Sequence, residues 1–134
     1  MLDHLRLTVS DVAAAYRLYD PVLRALGFEE VEREDDGVAW GKPGADQWLI
    51  LTPASRDGEH DAAAPGLHHI AFAAADRATV DRAHELAVAA GAEILDPPRL
   101  FDYEPNYYAT FFRDPDGFKL EVVTRASPPS SPGR

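Results

Sequence analysis

Cysteine is absent from the 134 residues, which removes both a disulfide framework and any thiolate metal site. A metal, if one is held, must be held by imidazole and carboxylate. Basic residues are scarce: 13 Lys and Arg stand against 23 Asp and Glu, for a net charge of −10. Binding nucleic acid, or docking on an anionic membrane, calls for a basic face, so neither partner is expected. No apolar run approaches the roughly 20 residues that cross a bilayer. Met1 leads into a strand pattern without the basic and apolar segments of a secretion signal. The expectation is a cytoplasmic chain of one domain, long enough to bury a real core.

What the sequence does contain is a duplication. Asp3-His4-Leu5-Arg6-Leu7-Thr8-Val9 is echoed by Leu67-His68-His69-Ile70-Ala71-Phe72, with His4 and His69 65 residues apart. Asp11 and Asp76 are separated by the same 65 residues, and Gly27 and Gly91 by 64. A repeat of about half the chain fixes the architecture before any local pattern does. The expected fold is α+β: two tandem βαβββ modules in a pseudo-symmetric sheet, with residues 1–53 as the first module and 67–125 as the second. Residues 54–66 read as a polar linker, and 126–134 as a Ser/Pro-rich disordered tail beyond a single domain of 1–125.

Within the first module, Leu5, Leu7 and Val9 alternate with His4, Arg6 and Thr8, the period of a half-buried strand. Ser10-Asp11 offers a helix N-cap, and Val12, Ala15, Tyr16, Tyr19, Leu23 and Leu26 recur at helical spacing up to Gly27. Pro21 is expected to kink or break that helix near Asp20. Phe28 to Arg33, Val38 to Gly41 and Gln47 to Thr52 read as strands. In the second module Leu67 to Ala73 is a strand, and Asp76 caps a helix ended by Gly91. Strand Ala92 to Leu95 then gives way to an irregular loop at Asp96-Pro97-Pro98. Tyr107 to Arg113 and Phe118 to Thr124 form a hairpin across Asp114-Pro115-Asp116-Gly117.

Parity assigns the faces. Leu5, Leu7 and Val9 pack on their helix and leave His4, Arg6 and Thr8 opposite. Ile70 and Phe72 pack likewise, so His69 and Ala71 face away. In the last strand Leu120 and Val122 pack, and Lys119, Glu121 and Val123 project. His4, His69 and Glu121 therefore share one concave face. A single strand histidine is usually a surface or satisfied residue; the conjunction of repeat-equivalent histidines and a carboxylate points to a site.

These motifs, with Ala25-Leu26-Gly27-Phe28 and above all Phe111-Phe112-Arg113-Asp114-Pro115-Asp116-Gly117-Phe118-Lys119-Leu120-Glu121, resemble the vicinal oxygen chelate superfamily. That superfamily includes glyoxalase I, extradiol dioxygenases, fosfomycin-resistance thiol transferases and bleomycin-binding proteins. The resemblance implies a cup-shaped mixed sheet with helices on its outer face, closed around a divalent metal. It places ligands at His4, His69 and Glu121, with Glu121 also the candidate catalytic group. A fourth, carboxylate ligand of glyoxalase I-like members would fall at Ile50, which cannot bind metal. Two histidines and one carboxylate leave adjacent positions open, and suit Fe, Mn, Zn or Ni alike. Members often pair modules between subunits, so a homodimer is expected.

Arg6, Trp48, Ile50 and Thr52 are expected to line the substrate cup from the first module. A four-residue loop at Asp114–Gly117 would bring Tyr108, Thr110 and Phe112 to it beside Lys119. A one-residue bulge would bring Tyr107 and Phe111 instead. Phe101 to Tyr108, with Tyr103, reads as a lid, while His60 reads as solvated linker. Three functions stay open. One is a metal-dependent lyase, isomerase, dioxygenase or thiol transferase acting on a small molecule with vicinal oxygens. Another is a metal-free binder of the bleomycin-sequestering kind, and the third is that of a degenerate structural or regulatory member.

Overall fold

Alternating strands and capped helices assemble as the duplication requires. The computed structural model describes residues 2–32 and 35–130. Its elements run β1 (His4–Val9), α1 (Val12–Ala25), β2 (Glu29–Val31), β3 (Val38–Lys42), β4 (Gln47–Pro53), β5 (Ile70–Ala73), α2 (Arg77–Ala89), β6 (Glu93–Leu100), β7 (Tyr108–Arg113) and β8 (Lys119–Thr124). This is βαβββ twice. Each module makes its own four-stranded sheet, ordered β1-β4-β3-β2 and β5-β8-β7-β6. In both, the first strand runs parallel to the last, and the other pairings are antiparallel. Met1, Arg33 and the last four positions of the tail lie outside the described residues.

The repeat extends to the helix ends. Asp11 and Asp76 are N-caps whose carboxylates accept from the backbone N–H of Ala14 and Thr79, at 3.0 and 2.8 Å. Each satisfies a donor that the first turn leaves without a partner. At the other ends Gly27 and Gly91 take φ of +92° and +80°. The next residues, Phe28 and Ala92, donate back to Leu23 and Ala87. This is the Schellman closure, for which glycine carries no Cβ penalty.

The apolar faces of both sheets pack on the helices in one continuous core. Leu7, Val9, Leu49, Leu51 and Trp40 meet Leu18, Tyr19, Val22 and Leu23 of α1, while Phe112, Leu120 and Val122 meet Val80, Ala83 and Ala87 of α2. Full burial of each large side chain contributes about 1.5–3 kcal/mol. Trp40 is fully buried, stacks on Tyr16 and Tyr19, and donates from its indole to Asp20 at 2.9 Å. α1 is not interrupted at Pro21. One backbone bond is forfeited there, but Leu18, Tyr19, Val22 and Leu23 are all buried, and their packing holds the helix together.

Two further expectations give way. Asp96-Pro97-Pro98 is not a loop but part of β6, which absorbs it through register shifts against β7. β6 is the outer strand of its sheet, where a proline's missing N–H is tolerated. The second hairpin closes with Arg113 opposite Lys119, so its loop is Asp114–Phe118, five residues rather than four. Asp114 causes this: its carboxylate accepts from the N–H groups of both Asp116 and Phe118, each at 2.9 Å. Phe118 is thereby drawn out of the strand into the turn.

The same turn ties the modules together. The Tyr19 hydroxyl donates to Asp114 at 2.7 Å in a buried contact, and Asp116 accepts from the backbone N–H and hydroxyl of Ser10. Burial raises the Asp114 carboxyl above its ordinary value, against the pull of Tyr19 and the two N–H donors. A group whose folded pKa is raised stabilises most below its unfolded value, and that contribution fades as pH climbs through the folded value. In denaturant titrations across mildly acidic pH, the stability advantage of the parent over Asp114→Asn is expected to shrink as pH rises. Tyr19→Phe is expected to cost about 1–3 kcal/mol, and more at the higher pH where the Asp114 carboxylate that it serves is ionised.

Candidate active site

Each sheet turns one face away from its helix. On the first, His4, Arg6 and Thr8 of β1 lie beside Trp48, Ile50 and Thr52 of β4, in the register His4↔Trp48, Arg6↔Ile50, Thr8↔Thr52. This is the face that parity assigns. Ala39 and Gly41 of β3 complete it. A Cβ on Gly41 would stand 2.6 Å from the Trp48 ring, so the indole lies flat across that glycine. Arg6 pairs with Asp35 at 3.5 Å and is exposed, so its charge is shared with a carboxylate.

On the second sheet the five-residue turn changes the occupants. Glu121 is opposite Phe111 and Val123 opposite Ala109, while Ala71 of β5 lies beside Glu121. Tyr108, Thr110 and Phe112 therefore face α2, contrary to the four-residue reading. Tyr108 donates to Asp81 of α2 at 2.6 Å; burial, then Asp81, pushes its phenol up to about 12. Thr110 is fully buried and donates to the Asp96 carbonyl at 2.8 Å, and Phe112 sits in the core. The alternative pair, Tyr107 and Phe111, holds the face, with the Lys119 ammonium 4.8 Å from the Phe111 ring centroid.

Glu121 is the centre of this face. It is only 2% exposed. Oε1 lies 3.1 Å from His69 Nε2, and Oε2 accepts from the Tyr107 hydroxyl at 2.5 Å. Burial, then Glu121, pushes the Tyr107 phenol up to about 12. His69 Nδ1 lies 2.8 Å from His68 Nδ1, so the two imidazoles share a hydrogen bond. Around them Phe101 and Phe111 pack at 5.3 Å, and Tyr103, 68% exposed, stacks on Phe101 at the rim.

His69 and Glu121 thus meet as expected. His4 does not join them within one chain. It lies at the exposed start of β1, its Nδ1 2.7 Å from Asp3 Oδ1. Among the described residues no three His, Cys, Asp or Glu side chains are close enough to hold a metal ion. Two of the three expected donors do fit one: ligands bound at about 2.1 Å and at right angles to each other are about 3 Å apart. An imidazole and a carboxylate are also a donor set that divalent transition metals accept. The supporting partners Asp3 and His68 escaped the sequence reading, although both adjoin the histidines in the chain, whereas Tyr107 is the residue that a one-residue bulge was expected to bring to the cup. His60 is not solvated: its ring packs 4.4 Å from that of Phe118.

A groove of about 340 Å³ runs beside His4, Leu5 and Trp48 to Phe28, Ile70 and Phe72. Trp48, 40% exposed, lines it together with the exposed Leu2. Gly41→Ala is expected to lift that indole, increasing acrylamide quenching of tryptophan fluorescence. Trp40, the other of the two tryptophans, is buried and should contribute a constant background.

Residues 1–122 match the family model described as the Glyoxalase/Bleomycin resistance protein/Dioxygenase superfamily. The chain is 32% identical over 126 residues to the uncharacterized protein YqjT of Bacillus subtilis, covering 91% of this chain and 97% of that one. Among solved structures it is similar to a putative glyoxalase from Bacillus halodurans, with 26% identity, a TM-score of 0.77, and 92% and 95% of the two chains covered. It is also similar to the fosfomycin resistance protein FosX of Mesorhizobium loti, at 25% identity and a TM-score of 0.64, covering 92% and 91%.

Proposed function

The chain belongs to the Glyoxalase/Bleomycin resistance protein/Dioxygenase superfamily, and from that premise we propose that it is a divalent-metal-dependent enzyme acting on a small oxygen-rich metabolite. The reaction classes are those of a lyase, isomerase or oxygenase, and the site of action is the cytoplasm. The observation that carries the reading is the contact of His69 Nε2 with buried Glu121 Oε1 at 3.1 Å, the spacing of neighbouring ligands on one ion. Fe, Mn, Zn and Ni all suit that donor set. When bound, such an ion supplies Lewis acidity toward two neighbouring substrate oxygens.

The third ligand in this proposal is His4 of a second copy, in a homodimer. β1 and β5 are outer strands of their sheets, and open strand edges favour pairing. A two-fold that sets β1 of one chain beside β5 of the other would join a first-module sheet to a second-module sheet, twice over. Asp3 on Nδ1 of His4 would then orient its Nε2 as a ligand. Phe111, Trp48 and Ile50 would wall the substrate, with Lys119 and Arg6 favouring an anionic or enolisable one, and Tyr103 standing at the rim. A metal-free binder is the second reading, favoured by the mainly apolar lining of the 340 Å³ groove.

Metal content of mixed variants tests the reading. His4→Ala and His69→Ala should each purify without stoichiometric metal. Co-refolded together, they should regain about one metal per four chains, because half of randomly paired dimers carry one intact site. No recovery in a folded mixture would overturn the shared site, and a metal-free parent that resists reconstitution would favour the binder.

A further inference from the structure

We infer that Tyr107 is a positioning residue that holds the Glu121 carboxylate in a one-oxygen presentation, leaving Oε1 alone to serve a metal. The inference rests on the reading of His69 and Glu121 as metal ligands. Glu121 projects from β8 into a nearly dry pocket, 2% exposed, where a free carboxylate oxygen would lack a partner. The Tyr107 hydroxyl takes Oε2 at 2.5 Å. With that oxygen committed, rotation of the carboxylate is blocked, and Oε1 is directed at His69 Nε2.

Tyr107 is itself held firmly enough to impose this. Its carbonyl accepts from Phe101 N–H at 2.9 Å and its N–H donates to the Glu104 carbonyl at 3.3 Å, closing the segment between them. Its ring lies 5.1 Å from that of Tyr103 and 5.0 Å from the Arg125 guanidinium, which is paired with Glu104 at 2.8 Å. The loop preceding β7 is thus a brace for the carboxylate as well as a rim. Neighbouring Tyr108 is an internal control: its hydroxyl serves Asp81, on the opposite face of the sheet. Partners of this kind change metal affinity when removed, typically by about 10–100-fold.

The test is titration of the full-length chain with Co(II), reading the visible d–d bands for affinity and coordination. Tyr107→Phe should bind about 10–100-fold more weakly with altered bands, and Tyr108→Phe should bind as the parent does. In the parent, the infrared difference between Co(II)-loaded and free protein, assigned by its loss in Glu121→Gln, should show the wide carboxylate splitting of one-oxygen ligation. That measurement needs no Tyr107 variant to fold. A folded Tyr107→Phe with parental affinity, or a parent spectrum showing both oxygens bound, would overturn the inference while leaving the metal site standing. A parent that takes up no Co(II) would overturn both.

Discussion

The register of the second hairpin depends on one carboxylate. Asp114 accepts from the N–H groups of Asp116 and Phe118 and from the hydroxyl of Tyr19. The first two contacts lengthen the turn by one residue, and a one-residue change moves every β7 side chain to the other face. Phe112 and Thr110 therefore enter the core, and Phe111 and Tyr107 come to Glu121. The third contact reaches α1, so the group that sets the second module's register also fastens it to the first. Its burial has an electrostatic cost that three hydrogen bonds offset only in part.

That register gives Glu121 its surroundings. Aromatic rings of Phe101, Phe111 and Tyr107 exclude water from a carboxylate that would otherwise be solvated, while His69 and Tyr107 satisfy its two oxygens. A dry carboxylate with fixed partners interacts more strongly with an incoming cation than an exposed one does. His4 has the opposite character, exposed and held only by Asp3. One chain thus holds His69 and Glu121 in contact and, on a separate sheet, an exposed His4 paired with Asp3.

Much of this was legible in the sequence. The 65-residue echo of His4 in His69 fixes the modules, the caps at Asp11 and Asp76, and the glycines at Gly27 and Gly91, because helix ends are local chemistry. Strand parity then puts His4, Arg6, Trp48 and Ile50 on one face and brings His69 to Glu121. The resemblance to the glyoxalase-type superfamily agrees with the family match. What misled was longer in range. The residues bracketing Pro21 outweigh the proline because all four are buried against strands far off in sequence. Pro97 and Pro98 fit a strand only because β6 ends the sheet, a fact of tertiary order. The side-chain bonds of Asp114 within its turn, by contrast, were available to inspection, since an Asp opening a loop commonly caps the N–H groups that follow.

The separation of His4 from the other two donors follows from the duplication. Each copy of the βαβββ unit forms a sheet whose first strand is an edge. In an isolated chain both edges keep unpaired backbone groups, and His4 and the His69–Glu121 pair stay beside different ones. In the proposed homodimer each β1 edge would meet a β5 edge, and the contact that hides the exposed backbone would also carry an imidazole toward a carboxylate already fixed in place. The exposed His4, held by Asp3, would suit that position, where it would have to adapt to a partner surface. Glu121, braced from within its own module, has no such need. Rigidity on one side of that contact and freedom on the other would let the proposed shared site form without strain in either chain.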